Sequence, residues 1–153
     1  MFAHPSSKRW RDSLVEIGTD DGGWTRHFRD PATDQEWTEY FPYRDDRSPS
    51  FMRHREVPAD LKVLLRRCLT SRDKDEWMGV AAYVSGSYHT VAVARVLAEV
   101  APDCSKKALK VFGRYYQAYD RRKIIGMHYA EVERSYQEHL EVVEQINTIT
   151  KRG

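Results

Sequence analysis

The sequence predicts an α+β protein, with an N-terminal helix and a small antiparallel sheet packed on a bundle of about five helices. Two observations predict this fold class. Aromatic-rich runs at residues 24–29 and 36–41 flank a turn-rich stretch at 30–34, which is the pattern of a β-hairpin. After residue 57, apolar residues recur every three or four positions, as in amphipathic helices. We expect a helix-plus-hairpin unit with a linker over residues 1–57 and a helical bundle over 58–153, within one compact domain.

Composition sets the broad class of the protein. The chain has 153 residues, of which 41% are hydrophobic, so it can bury a core. Its 25 basic and 23 acidic residues nearly balance, and this does not require nucleic acid or a membrane as partner. The two cysteines form no disulfide framework or metal spacing. Without a signal-like leader or a run of about 18 apolar residues, we expect a cytoplasmic protein with no membrane contact.

The N-terminal segment has the pattern of a short helix that leads into the hairpin. Ser6 or Ser7 is placed to cap it, and apolar side chains four and three residues apart follow as far as Ile17. Gly18 is expected to end this helix. A loop over residues 19–23 then reaches the first strand.

The period of two along a strand divides the hairpin side chains between two faces. Four aromatic residues are predicted to pack onto the protein as the structural core of the hairpin: Trp24, Phe28, Trp37 and Phe41. The opposite faces are predicted to suit solvent or a partner, and they carry Thr25, His27, Arg29, Glu36, Thr38 and Tyr40. A lone hairpin is marginal in water, so it must lean on a third strand or on helices.

The rest of the chain reads as a polar linker at 43–57 followed by helices. The predicted helices are 58–69, 73–84, 90–100, 105–119 and 121–149. Pro58 is placed to start the first, and Ser85 to Ser87 to stop the second. The last carries apolar residues at a 3–4 spacing, with Gly126 as a possible kink, and it either spans the bundle or pairs with another chain. Apolar residues of the first two of these helices recur weakly 31 positions later in the next two, which leaves open a helical-repeat-like arrangement.

No catalytic or cofactor motif is readable. The chain has no GxGxxG, GxxxxGK[ST], GxSxG or HExxH pattern. His128 and Glu131 share a helical face with Glu138 and His139 two turns later, but ligands on a facing helix are missing, so we assign them to a solvated face. We therefore expect no metal, no cofactor and no enzymatic activity.

Basic residues concentrate on the fourth predicted helix. Lys106, Lys110 and Arg114 recur every four residues and line one face, with tyrosines nearby. Three interpretations stay open: a solvated helix face, a contact for an acidic protein, or a nucleic-acid contact. No helix-turn-helix or zinc pattern accompanies the basic residues.

The hairpin segment resembles a family of bacterial immunity proteins that accompany polymorphic toxins. The shared pattern is a glycine-tryptophan, an aromatic-Arg-Asp-Pro turn, and a tryptophan strand ending near an aromatic and a proline. The matching segments are Gly23-Trp24, Phe28-Arg29-Asp30-Pro31, Trp37 and Tyr40-Phe41-Pro42. The match is limited to residues 22–42. It lacks the Gly-rich stretch that family members carry after the proline.

The resemblance implies a protein that binds and blocks a cognate toxin domain without catalysis. The expected partner-binding residues are His27, Arg29, Glu36 and Tyr40 on the hairpin and Lys106, Lys110 and Arg114 on the helix. A monomer or a homodimer through the C-terminal helix is expected. The alternative functions are a helical-repeat-like adaptor and a small nucleic-acid-binding regulator that uses the basic residues between 106 and 123.

Overall fold

The computed structural model describes residues 1–3, 11–41, 50–119 and 125–151. Within these residues the chain is α+β, with an antiparallel five-stranded sheet followed by five helices. The strands are β1 (Phe2–Ala3), β2 (Val15–Asp20), β3 (Thr25–Arg29), β4 (Glu36–Tyr40) and β5 (Phe51–His54). The helices are α1 (Leu61–Leu69), α2 (Lys74–Ser87), α3 (Thr90–Val100), α4 (Lys106–Tyr115) and α5 (Tyr129–Lys151). The strand order is β1-β5-β4-β3-β2, so β1 and β2 form the two edges.

The predicted hairpin is confirmed, and it lies within the larger sheet. Phe28 of β3 lies opposite Trp37 of β4. The turn is closed by Asp30, whose side chain accepts a hydrogen bond from the Ala32 amide at 2.9 Å and whose carbonyl accepts one from the Asp34 amide at 2.8 Å. Asp34 adopts a positive φ of 56°, a conformation that aspartate tolerates in turns.

The predicted N-terminal helix is wrong at its C-terminal end. Val15–Asp20 forms strand β2 instead, paired antiparallel with β3. Three apolar residues at helical spacing are too few to outweigh the β preference of valine, isoleucine and threonine. Gly18 ends no helix, because it lies in β2 next to a register shift. Residues 4–10 of the predicted helix lie outside the described residues.

The predicted linker is also wrong in part, because Phe51–His54 forms strand β5 between β4 and β1. A four-residue strand inside a polar stretch shows too little alternation to be recognised. Residues 43–49 of the linker lie outside the part of the chain that the structure describes.

The sheet meets the helices where β1 crosses α2. The Phe2 side chain packs against the backbone of Gly79, and a Cβ at position 79 would collide with it. The Phe2 ring also lies 5.7 Å from that of Tyr83, and the Tyr40 hydroxyl donates to the Gly79 carbonyl at 3.3 Å. Glycine at this position therefore allows sheet and helix to approach closely.

Most helices start at capping residues. The side chains of Asp60, Asp73 and Ser105 each accept a hydrogen bond from a backbone amide of the first turn. Helix α1 therefore begins at Leu61, not at Pro58. The bounds predicted for α3 are confirmed.

Two predicted helix ends are wrong. Helix α2 continues through Ser87, because the Ser85 hydroxyl donates to the Ala81 carbonyl at 2.7 Å and no glycine there adopts a positive φ. The same hydroxyl accepts from the Gln117 amide at 2.9 Å, in the extended segment after α4. Helix α4 therefore ends at Tyr115, not near 119.

Four of the helices form two pairs, in which α1 packs against α3 and α2 packs against α4. Helix α1 also contacts α2, and α5 contacts α3 and α4. The pairs α1/α3 and α2/α4 are the ones that the offset of 31 residues relates. This packing is compatible with a repeat, and common descent of the two pairs stays a prediction.

We predict that Gly79→Ala lowers the free energy of unfolding by about 1–3 kcal/mol, because the added methyl group collides with Phe2. This loss opposes the gain of about 1 kcal/mol that alanine brings to a helix. Gly18→Ala in β2 is the matched control and should be close to neutral, because a Cβ at that position meets no atom within 4 Å. Urea unfolding measures both variants, and equal stability of the two would contradict the close contact.

Candidate protein-binding surfaces

The face of the hairpin predicted to be outer is the one that turns towards the helices. Thr38 is 1% exposed, and Tyr40 packs beside Tyr83 with ring centroids 6.1 Å apart. Tyr40 is therefore a contact between sheet and helix, and the prediction that its face lies on the outside of the protein is wrong. Strand β4 is the third of five and is covered on both faces, so its period of two cannot tell which side the helices take.

The aromatic face is confirmed as a core for only two of its four residues. Phe28 and Trp37 are buried with Met52, and Leu14 packs against them. Trp24 is 49% exposed, so its predicted burial is wrong. Its ring meets half-buried Phe41 edge-on, at a centroid distance of 5.8 Å.

A buried carboxylate that the sequence pattern did not reveal holds this face together. Glu39 is 2% exposed. It accepts hydrogen bonds from Arg11 at 2.7 Å, from the Ser50 hydroxyl at 2.6 Å and from Arg26 at 3.5 Å. Paired and hydrogen-bonded in this way, the charge is tolerated in the interior.

Two predicted hairpin residues, Arg29 and Glu36, reach the rim of the sheet. Glu36 accepts from Arg55 and, at 3.2 Å, from Arg29. These two guanidinium groups, Arg55 first, hold the pKa of Glu36 below its usual value. The Arg29 side chain remains 50% exposed, so it stays available to a partner.

His27 belongs to a polar chain across the outer strands. Its ring nitrogens lie 2.6 Å from the Asp20 carboxylate and 3.1 Å from the Thr38 hydroxyl. Its side chain is only 17% exposed. This geometry gives His27 a role in joining β2, β3 and β4.

A cleft of about 360 Å³ opens beside the same rim and is lined by Gln35, Glu36, His54, Arg55 and Glu56. The His54 ring lies edge-on to Trp37 at a centroid distance of 4.2 Å. Burial lowers the pKa of His54, and the nearby N-terminal ammonium adds to this effect. The imidazole is therefore neutral at pH 7, while the neighbouring Glu36 carboxylate forms ion pairs with Arg55 and Arg29.

Strand β2 presents an exposed edge that the sequence pattern does not reveal, because residues 15–17 fit the predicted helix and residues 19–20 fit the predicted loop. All six of its residues are exposed, including Val15 at 54% and Ile17 at 42%. In the described part of the chain it pairs with β3 and with no other strand. A bulge at Ile17 breaks its register with β3.

The basic face of α4 consists of Lys106, Lys107, Lys110 and Arg114, all of which are exposed. Among the described residues, none of these cations lies within ion-pair distance of a carboxylate. The face points away from the buried residues Ala108, Leu109 and Phe112 of the same helix.

The exposed half of α5 is a further surface. The helix has 23 residues, so at about 1.5 Å per residue it extends over about 35 Å. It starts at Tyr129, because Gly126 lies with φ of 84° in the preceding turn. Of the predicted apolar seam, Ile146 is buried, whereas Tyr129, Tyr136 and Leu140 are 83%, 43% and 41% exposed.

The described residues include no group of three or more histidine, cysteine, aspartate or glutamate side chains placed to hold a metal ion. No helix in that part of the chain has the length and apolar character needed to cross a bilayer. Burial raises the pKa of both thiols, Cys68 and Cys104, which disfavours their reactive thiolate form.

Comparison of the chain with protein-family models, with curated proteins and with solved structures finds no match in any of the three. The resemblance of the hairpin segment to immunity proteins therefore stays a prediction.

We predict that stability falls as the pH drops from 7.5 to 5.5, in part through His54. The pKa of His54 is lowered in the folded state, whereas an unfolded histidine titrates near about 6.5. Below that pH the unfolded chain binds a proton that the folded chain does not, so the free energy of unfolding decreases. Urea unfolding at several pH values should show a shallower pH dependence for His54→Gln.

Val63→Gln is the matched control for this experiment, because it changes an exposed residue of α1 and no titratable group. This variant should keep the pH dependence of the unchanged protein. A His54→Gln variant with the same pH dependence as that protein would rule out the proposed role of the buried imidazole.

Proposed function

We propose that this protein is a non-catalytic protein-binding inhibitor, an immunity protein that neutralises a bacterial toxin domain by occupying its surface. The observation that carries the proposal is the exposure of Trp24, in the segment that resembles immunity proteins and beside the exposed edge of β2. Exposed aromatic residues on a rigid support are typical anchors of protein interfaces. In this role the protein acts in the cytoplasm of the cell that it protects.

The sheet supplies the rigidity that such an inhibitor needs. Phe28 and Trp37, from the same segment, are buried and fix the hairpin that carries Trp24. Because the interface residues are held by the fold, binding costs little ordering entropy. This division of the aromatic residues, some buried and one exposed, supports the proposal.

The proposed contact surface is the edge formed by β2 and by Trp24, which precedes β3. Val15, Ile17 and Trp24 are its exposed apolar residues, and Arg29 lies opposite Val15 in the sheet. The bulge at Ile17 interrupts the edge, which disfavours continuous pairing with a foreign strand. We therefore propose that the partner docks on side chains and does not extend the sheet.

The test uses the toxin domain encoded by the neighbouring reading frame, produced together with this protein. The unchanged protein should restore growth and form a one-to-one complex. Trp24→Ala and Ile17→Lys should weaken binding by about tenfold or more, as loss of a central anchor does. Calorimetry with the purified pair measures the affinities.

Exposed valines elsewhere provide the matched controls. Val63→Lys in α1 and Val91→Lys in α3 change residues that are 53% and 63% exposed and should leave binding unchanged. Failure of the unchanged protein to bind that toxin domain would refute the function. Full binding by both edge variants would refute the surface while leaving the function standing.

A further inference from the structure

We propose that a second copy of this chain docks the acidic, apolar face of α5 onto the basic face of α4, in a two-fold pairing that makes this contact twice. This inference concerns α4 and α5, not the sheet edge proposed for the toxin. It therefore stands or fails independently of the proposed function.

The first observation is the charge of the exposed half of α5. Between residues 129 and 144 the helix carries five glutamates and one arginine, a net charge of −4 with histidine neutral, within a chain of net charge +2. All five glutamates are exposed. Among the described residues, none of them forms an ion pair.

The second observation is an apolar row beside this charge. Tyr129, Tyr136, Leu140 and Val143 are seven, four and three residues apart, so they share one helical face over about 21 Å. The first three are exposed, and Val143 is half-buried outside the core of the protein.

The glutamates align with this apolar row. Glu141 and Glu144 each follow a member of this row by one position, and Glu133 lies one turn after Tyr129, so the three form a second row beside it. The core of the protein takes a different face of α5, with Val142, Ile146 and Ile149. The exposed face is thus an apolar row with a carboxylate border.

The basic face of α4 has the complementary chemistry. Lys106, Lys110 and Arg114 follow one another at four-residue spacing, and Lys107 adds a fourth exposed cation. Their methylene stems can cover apolar side chains while the charged ends reach the carboxylates. A guanidinium or ammonium group over a tyrosine ring adds a cation–π contribution.

A second copy is the occupant because it supplies both complementary faces. Each chain carries one acidic and one basic face, and a two-fold axis lets each acidic face meet a basic face of the other chain. A pairing of α5 with α5 would instead bring together two segments that each carry a net charge of −4. The opposite charges also give the contact a defined orientation.

The experiment is sedimentation of the whole protein with two charge-reversal variants. One variant combines Glu141→Lys with Glu144→Lys, and the other combines Lys106→Glu with Lys110→Glu. We expect the unchanged protein to dimerise, more weakly at high salt, and each variant alone to dimerise at least about tenfold more weakly. An equal mixture of the two variants should recover the dimer, because each then presents the opposite charge to the other.

Arg72→Glu combined with Arg95→Glu is the matched control, since it reverses two exposed cations outside both faces and should leave the dimer intact. Circular dichroism establishes that each variant is folded, and the salt dependence of the unchanged protein provides a test that needs no variant. A protein that stays monomeric would overturn the proposal. A dimer insensitive to salt and to both reversals, or variants that fail to recover on mixing, would also overturn it.

Discussion

The contact between Phe2 and the backbone of Gly79 is the constraint on which the arrangement of sheet and helices depends. It seats the two-residue strand β1 on helix α2, and β5 and β4 follow in the sheet. Tyr40 then reaches the same glycine through its hydroxyl group. Because α2 contacts β1 and β5, the other edge of the sheet, β2, is left exposed.

This asymmetry decides which aromatic residues are structural and which face solvent. Residues of β4 and β5 are covered on both sides, by the helices on one face and by Leu14 and its neighbours on the other. Buried Glu39, with its arginine and serine partners, ties the N-terminal segment to β3, β4 and Ser50. Trp24, before the start of β3, lies beyond this cover.

The helical part separates its contacts in a similar way. The core side of α4 is filled by Ala108, Leu109 and Phe112, which leaves the cations outside. Helix α5 buries only Ile146 and Thr150 among its described residues. Its N-terminal half therefore keeps an apolar and acidic face. Acidic and basic residues thus lie on different helix faces, although the net charge of the whole chain is only +2.

The features that could be predicted from the sequence are those that depend on residues close together in the chain. Turn residues and alternating aromatic residues predicted the hairpin, and the apolar period predicted three helix starts within a residue or two. It did not predict β2, because Leu14 and Ile17 also suit a helix. It also placed Thr38 and Tyr40 on the wrong side.

The side of the sheet that the helices take depends on long-range packing at Gly79, which no local pattern encodes. For the same reason we propose Trp24 and the β2 edge, and not Tyr40, as the surface that binds a partner. Arg29 and Glu36 lie at the rim of the sheet, and their contact with a partner stays a prediction, whereas residues 15–17 of the edge have the spacing of a helix. The basic residues of α4 could be predicted because an exposed face needs only helical spacing.

We propose that this protein acts by presenting the β2 edge and Trp24 to a protein partner. Hydrogen–deuterium exchange of the whole protein, alone and with the toxin domain of the neighbouring reading frame, provides the decisive test. We predict that the partner slows exchange of the amides at residues 15–25 and leaves those of α1 unchanged. Slowed exchange confined to the helices, or no change anywhere on mixing, would contradict it.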